Sequence, residues 1–164
     1  MLNVTRTVLV VCAALLVVSC GPAVDLTSAL RVNGVATGWT DGGYANGVSK
    51  VTPTVSFTLT NTSTATLHAL QLNAVFRRAG ESSEWSARFT PVAGSAGLAP
   101  GRSTRLFVLT SDLGYTGFDA MDELLTNSHF VDADVDLFAK YGSTQWVRLG
   151  RFRIDRKLVA VTPS

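Results

Sequence analysis

The chain of 164 residues carries 14 Lys and Arg against 12 Asp and Glu, a formal net charge of +2, and is 46% hydrophobic. That length fits one domain with a substantial core and leaves little room for a second. The near-neutral balance supplies no concentrated basic face of the kind phosphate neutralisation demands, so no nucleic-acid partner is expected.

Arg6 is the only charge in the first twenty-four residues. It precedes an uncharged run of eleven residues from Val8 to Val18, followed by Ser19-Cys20-Gly21-Pro22. A short basic stretch, an apolar stretch and a small-residue cleavage site are the parts of an export leader. A spanning helix needs about 20 apolar residues, more than this run provides, and Gly21-Pro22 would break a helix. The Val17-Val18-Ser19-Cys20 stretch resembles the lipobox of bacterial lipoproteins. The resemblance implies that residues 1–19 are removed as a signal peptide, that Cys20 carries diacylglyceryl, and that the mature chain is anchored to a membrane outside the cytoplasm. Gly21 stands where an aspartate would disfavour release to the outer membrane. The outer membrane, facing the periplasm, is therefore preferred, and in a monoderm host the outer face of the cell membrane. An ordinary cleaved signal peptide and an uncleaved anchor are the alternatives. On the lipoprotein reading Cys12 leaves with the leader and Cys20 is committed to a thioether. No thiol then remains for a disulfide or for a thiolate metal site, and stability must come from packing.

Residues 20–29 read as a lipidated tether, reaching at most about 30 Å at roughly 3.3 Å per extended residue. The body is expected over 30–158, with a tail at 159–164. A first strand over 30–39 is weakened by its glycines. Residues 41–47 read as a loop closed by the Asn46-Gly47 turn. The strand over 51–61 alternates Val55, Phe57 and Leu59 with Ser56, Thr58 and Thr60, and Pro53 within it is expected at an edge or at the strand's start. A polar turn at 61–64 leads to a strand over 70–76. Next comes a shorter strand over 84–92 with Trp85, Ala87 and Phe89 on one side. Residues 93–102 are a loop by composition, and 104–110 a strand. Asp119 is expected to cap a short helix over 120–126 whose first turn holds Asp122 and Glu123. The strand over 130–140 sets Val131, Ala133, Val135, Leu137 and Ala139 against Asp132, Asp134 and Asp136. In the last strand, 145–155, Val147 and Leu149 differ in parity from Phe152 and Ile154, which a bulge at Gly150 reconciles.

About seven short strands with regular turns predict an all-β, antiparallel immunoglobulin-like sandwich with one short helix and a leader helix before it. A small barrel is the competing architecture. Four features cluster in the middle of the chain. They are a strand running into Asn61-Thr62-Ser63, a strand ending in Phe76-Arg77-Arg78, a Gly80-Glu81 turn, and Leu98-Ala99-Pro100-Gly101-Arg102-Ser103. Together they resemble the FxLYD-type and related late-embryogenesis-type immunoglobulin-like domains of bacterial lipoproteins, over about residues 51–110. The chain departs from that pattern where Phe76-Arg77-Arg78 replaces an aromatic followed by an acid. The resemblance implies a binding or scaffolding module of the cell envelope, with no catalytic residues to transfer.

The candidate chemistry agrees with a non-enzyme. Asp132, Asp134 and Asp136 lie along a strand, too spread for a calcium site needing six to eight converging oxygens. They are expected to form a solvated face paired with Arg148, Arg151 and Arg153. Arg156 and Lys157, beyond that ladder, are the freer charges and the candidates for contact with anionic headgroups. His68 and His129 read as surface residues, since no nucleophile elbow accompanies them. Trp85 and Trp146 are expected in the core. Tyr44, Tyr115 and Phe118, in glycine-rich loops, are the candidate recognition residues. No catalytic residue, metal or cofactor is implied. The expected partners are the membrane, through Cys20, and an unidentified envelope component. The alternatives are a carrier of an apolar ligand in a sandwich or barrel cavity and, behind it, a hydrolase with an unrecognised site.

Overall fold

The computed structural model describes residues 24–160; residues 1–23, with Cys12, Cys20 and the expected leader helix, and the last four residues lie outside them. Two antiparallel sheets face each other. The first contains β1 (Leu30–Ala45), β2 (Val48–Asn61) and β5 (Phe107–Thr110) in the order β1-β2-β5, with the short β6 (Tyr115–Gly117) also paired to β2. The second holds β3 (Leu70–Arg78), β4 (Ser86–Ala93), β7 (Ala133–Tyr141) and β8 (Val147–Arg153) in the order β4-β3-β7-β8. This is the immunoglobulin-like arrangement with its fourth strand moved beside the third, at the edge of the second sheet. Two helices complete the described residues, α1 (Leu26–Ala29) and α2 (Met121–Thr126).

The alternating strands make the core. Val51, Val55, Phe57 and Leu59 of β2 face Leu72, Ala74 and Phe76 of β3 and Val135 and Leu137 of β7, all fully buried. A second apolar cluster closes one end of the sandwich, where Leu26 and Leu30 pack with Leu67, Leu70, Leu98 and Ala139. Leu26 is 1% exposed, so the packed body includes α1, ahead of residue 30. Asp25 caps that helix, accepting from the backbone and hydroxyl of Thr27. Between the loops at this end lies Asn61, fully buried, its side-chain amide donating to the carbonyls of Ala65 and Leu98 while its oxygen accepts from Ser63.

Four local expectations are corrected. Residues 41–45 are not a loop, because β1 and β2 keep pairing as far as Ala45 and Val48, and only Asn46 and Gly47, both at positive φ, form the turn. Pro53 sits in the middle of a central strand. It is tolerated because its carbonyl accepts from Ser111 at the break between β5 and β6, and the same side of the residue would carry the missing N–H. Asp119 does not cap α2, whose N-cap is Ala120 without a side-chain bond. In β4 the parity is reversed: Ser86 opposes the buried Phe76, and residues directly opposite share a face, so Ala87 and Phe89 point outward. Arg88 then points inward at the edge and bridges the two sheets, donating to the Thr110 carbonyl at 2.9 Å and to Asp112 at 3.0 Å.

The chain's last described segment returns to its first strand. Trp39 donates its amide to Lys157 and accepts from Val159, both at 2.8 Å, so this segment lies parallel to β1 along its outer edge. Gly38 leaves the space for it, since a Cβ there would lie 2.5 Å from the Val159 side chain.

Candidate functional site

The outer face of the β4-β3-β7-β8 sheet carries the densest chemistry, and its layout follows from register. Residues opposite one another form rows across β4, β3, β7 and β8: Phe89, Asn73, Phe138 and Arg148 in one, Ala87, Val75, Asp136 and Arg151 in the next. Arg148 and Arg151 are three apart and on an unbroken strand would face opposite ways. Between them β8 bulges, with Leu137 opposite Gly150 and Phe138 opposite Arg148, so Leu149 is extra and both arginines emerge on the outer face. A Cβ at Gly150 would lie 2.9 Å from the tip of the Phe152 ring, so a side chain there would require that ring to shift.

Asp136 is the point on which the arginines converge. Arg151 grips it through Nε at 2.9 Å and Nη2 at 2.7 Å, Arg77 of β3 donates Nε at 3.2 Å, and Arg148 approaches at 3.5 Å. The aspartate is 2% exposed, which corrects the expectation of a solvated stripe. The bond from Arg151 holds its carboxyl below the usual carboxylate range; burial acts in the opposite sense, and Arg77 adds to the lowering. The guanidinium of Arg151 is pushed up by the same partner. The expected pairing of Asp136 with Arg148 and Arg151, and of Asp132 and Asp134 with Arg153, is present. The part of Arg77 was not foreseen; its Nη1 also donates to the Ser82 carbonyl at 2.6 Å, which ties the turn after β3 to the cluster. These groups line a polar recess of about 490 Å³ floored by Asp136.

Beside the recess lies an aromatic pair. Phe89 is 60% exposed and Trp146 is 39% exposed. They meet edge to face at 6.2 Å, reaching toward each other over the two middle strands. Lys140 stands over the indole ring at 6.0 Å. Trp146 is therefore not a core residue, since it precedes β8 on the outward parity. Beneath the pair, Asn73 keeps a buried side-chain oxygen without a hydrogen-bond partner.

The sequence-nominated residues are scattered. Tyr44 lies in β1, opposite Ser49, and is 68% exposed. Tyr115 is a packing residue, with its ring 4.6 Å from Phe130, 5.9 Å from Trp85 and 6.0 Å from the fully buried Trp39, and its hydroxyl accepting from the Val131 amide. Trp85 is half-buried against the core, as expected. Phe118 is 85% exposed at the mouth of an end cleft of about 330 Å³ that also touches Tyr115, Leu124, His129 and Phe130. His68 and His129 are both exposed. Arg156 and Lys157 are not free charges. Arg156 binds Asp132, donates to the Phe130 carbonyl and covers the Phe130 ring, while Lys157 pairs with Asp155 at 3.0 Å. Arg156 also lies at the far end of β7 from the Leu26 cluster, about 25 Å away by strand rise. Cys20 lies outside the described residues.

No protein-family model matches the chain, and no curated protein matches it. Among solved structures, the chain is similar to a Bordetella pertussis crystal structure named as an ApaA protein, at 13% identity and a TM-score of 0.35, with 76% of this chain and 91% of that chain covered. That likeness carries no argument about function.

Proposed function

We propose that the protein is a lipid-anchored lipoprotein of the cell envelope that acts as a non-catalytic binding or scaffolding module, using the outer face of its β4-β3-β7-β8 sheet. The observation that carries this reading is the exposed Phe89–Trp146 pair beside the arginine recess. Exposed aromatics and arginines are the residue types that anchor recognition surfaces. The leader and the Cys20 context support export and attachment, with the outer membrane facing the periplasm preferred and the outer face of the cell membrane in a monoderm host. With α1 part of the body, only four residues, and so five residue-to-residue steps, separate Cys20 from the cap at Asp25. At about 3.3 Å each they hold the domain within roughly 17 Å of the bilayer.

Two measurements test the reading. Mass spectrometry of the mature N-terminal peptide should find diacylglyceryl on Cys20, and Cys20→Ser should release the protein from membranes. Crosslinking in intact cells should capture an envelope component through the wild-type face and lose it in Phe89→Ser/Trp146→Ser. An unmodified Cys20, or capture indifferent to both aromatics, removes the reading.

The second reading, a carrier of an apolar ligand, is favoured by the aromatic-lined end cleft with Phe118 at its mouth. Its volume is at the small end of ligand sites. Lipid extracted with the purified full-length protein, over and above its own acyl chains, and lost in Leu124→Trp, supports the carrier; a clean extract removes it.

A further inference from the structure

We propose that the recess formed by Arg77, Arg148 and Arg151 is an oxyanion site that takes a carboxylate or phosphate group of the ligand bound on this face. The proposal deepens the binding reading above and rests on it.

Charge stoichiometry is the first argument. Three guanidinium groups converge on a single carboxylate, Asp136. The other acids at the recess are engaged elsewhere: Asp134 faces Arg153 at 3.5 Å, and Glu81 faces Arg78 at 4.0 Å and accepts from Ser83. Across the whole cluster Arg77, Arg78, Arg148, Arg151, Arg153 and Arg156 stand against Asp132, Asp134, Asp136 and Glu81, six charges against four, a surplus of +2. Salt bridges that only neutralised an acidic stripe would leave no such excess.

Preorganisation is the second. Asp136 is buried and accepts along one side of each guanidinium, so it orients them without filling their donor capacity. Each guanidinium has five N–H groups, and the bonds described use at most two on any one of them. Arg148 and Arg151 are about half exposed, so their remaining donors face the opening. Planar donor forks match carboxylate and phosphate oxygens and are held here before any ligand arrives. The bulge at Leu149 is the device that makes this possible, because it alone brings both β8 arginines to one face. Phe138 lines the same recess and opposes Arg148, so an anion seated there places the rest of its molecule toward Phe89 and Trp146.

The test uses the full-length protein in neutral detergent, titrated at constant ionic strength with sodium phosphate in one arm and sodium acetate in another, against chloride. The readout is arginine Nε–Hε resonances in nuclear magnetic resonance spectra. Saturable shifts at Arg148 and Arg151 support the proposal, and the arm that saturates at lower concentration identifies the source as a phosphate-bearing or a carboxylate-bearing ligand. Arg148→Gln, whose contact with Asp136 is the longest and whose removal spares the fold, should weaken binding about tenfold, the size of one charge-assisted contact. Arg105→Gln, on an exposed residue elsewhere, should leave it unchanged. Shifts that do not saturate, or that are equal in both variants, overturn the site. If crosslinked capture is lost in Phe89→Ser/Trp146→Ser but survives in Arg148→Gln, the oxyanion site falls while the binding face stands.

Discussion

Replacing Asp136 by alanine removes the acceptor shared by three arginines, and the cost follows from how much water each donor regains. The carboxylate receives bonds of 2.7 and 2.9 Å from Arg151 and 3.2 Å from Arg77. A hydrogen bond to a charged group contributes about 1.5–3 kcal/mol when its loss leaves a partner buried. Arg148 and Arg151 have side chains 56% and 50% exposed, so solvent replaces most of what they lose. Arg77 is 20% exposed and bears more of the penalty. The expected destabilisation is about 2–3 kcal/mol for Asp136→Ala and about 1–2 for Asp136→Asn, whose amide oxygen keeps part of the set. Urea denaturation of the full-length chain at pH 7 should show the midpoint falling by about 1 M for the alanine variant. A change below about half a kcal/mol would refute the claim that this carboxylate organises the arginines. Acid adds an internal check. A carboxyl held below its ordinary value stabilises the fold above its unfolded value, about pH 3.9, and loses that contribution as pH falls through the lower folded value. The wild type and Asp136→Asn should therefore differ at pH 7 and converge on acidification below about pH 4.

Three further outcomes follow from packing. Asn61→Ala leaves the carbonyls of Ala65 and Leu98 without the amide that joins them, and should cost about 2–3 kcal/mol in the same denaturation assay. Gly114→Ala would set a Cβ 2.1 Å from the Val51 carbonyl oxygen, a backbone atom that cannot yield cheaply; a thermal transition lowered by several degrees is expected, and an unchanged one would refute the close approach. Tyr115→Ala should cost about 3 kcal/mol or more, because that ring touches three other aromatics, whereas Phe118→Ala should fall within about half a kcal/mol of wild type.

Sequence pattern revealed the layers because β2 and β7 each have one face in the core, and alternation at period two records that directly. The bulge near Gly150 was legible for the same reason, as a change of parity within one strand. What alternation does not record is which strands lie side by side. Arg77 and Asp136 are 59 positions apart and meet only because β3 and β7 are neighbours, so the aspartate stripe looked solvated when its last member, Asp136, is covered. Edge strands misled for a related reason. On β4 the apolar Phe89 points outward and Arg88 inward, since a strand with one free edge need not bury its larger side chains. Loop composition misled at Tyr115, where flanking glycines suggested exposure; Gly114 and Gly117 are instead where the chain presses against the Val51 backbone and the Leu124 side chain.

The return of residues 157–159 to the edge of β1 couples positions made far apart in time. Trp39 waits for Leu158, 119 residues later, before the strand that holds it has its final neighbour. A chain synthesised from its amino end therefore gains the last neighbour of β1 late. A variant lacking residues 157–159 would leave that edge open to a holdase or a protease.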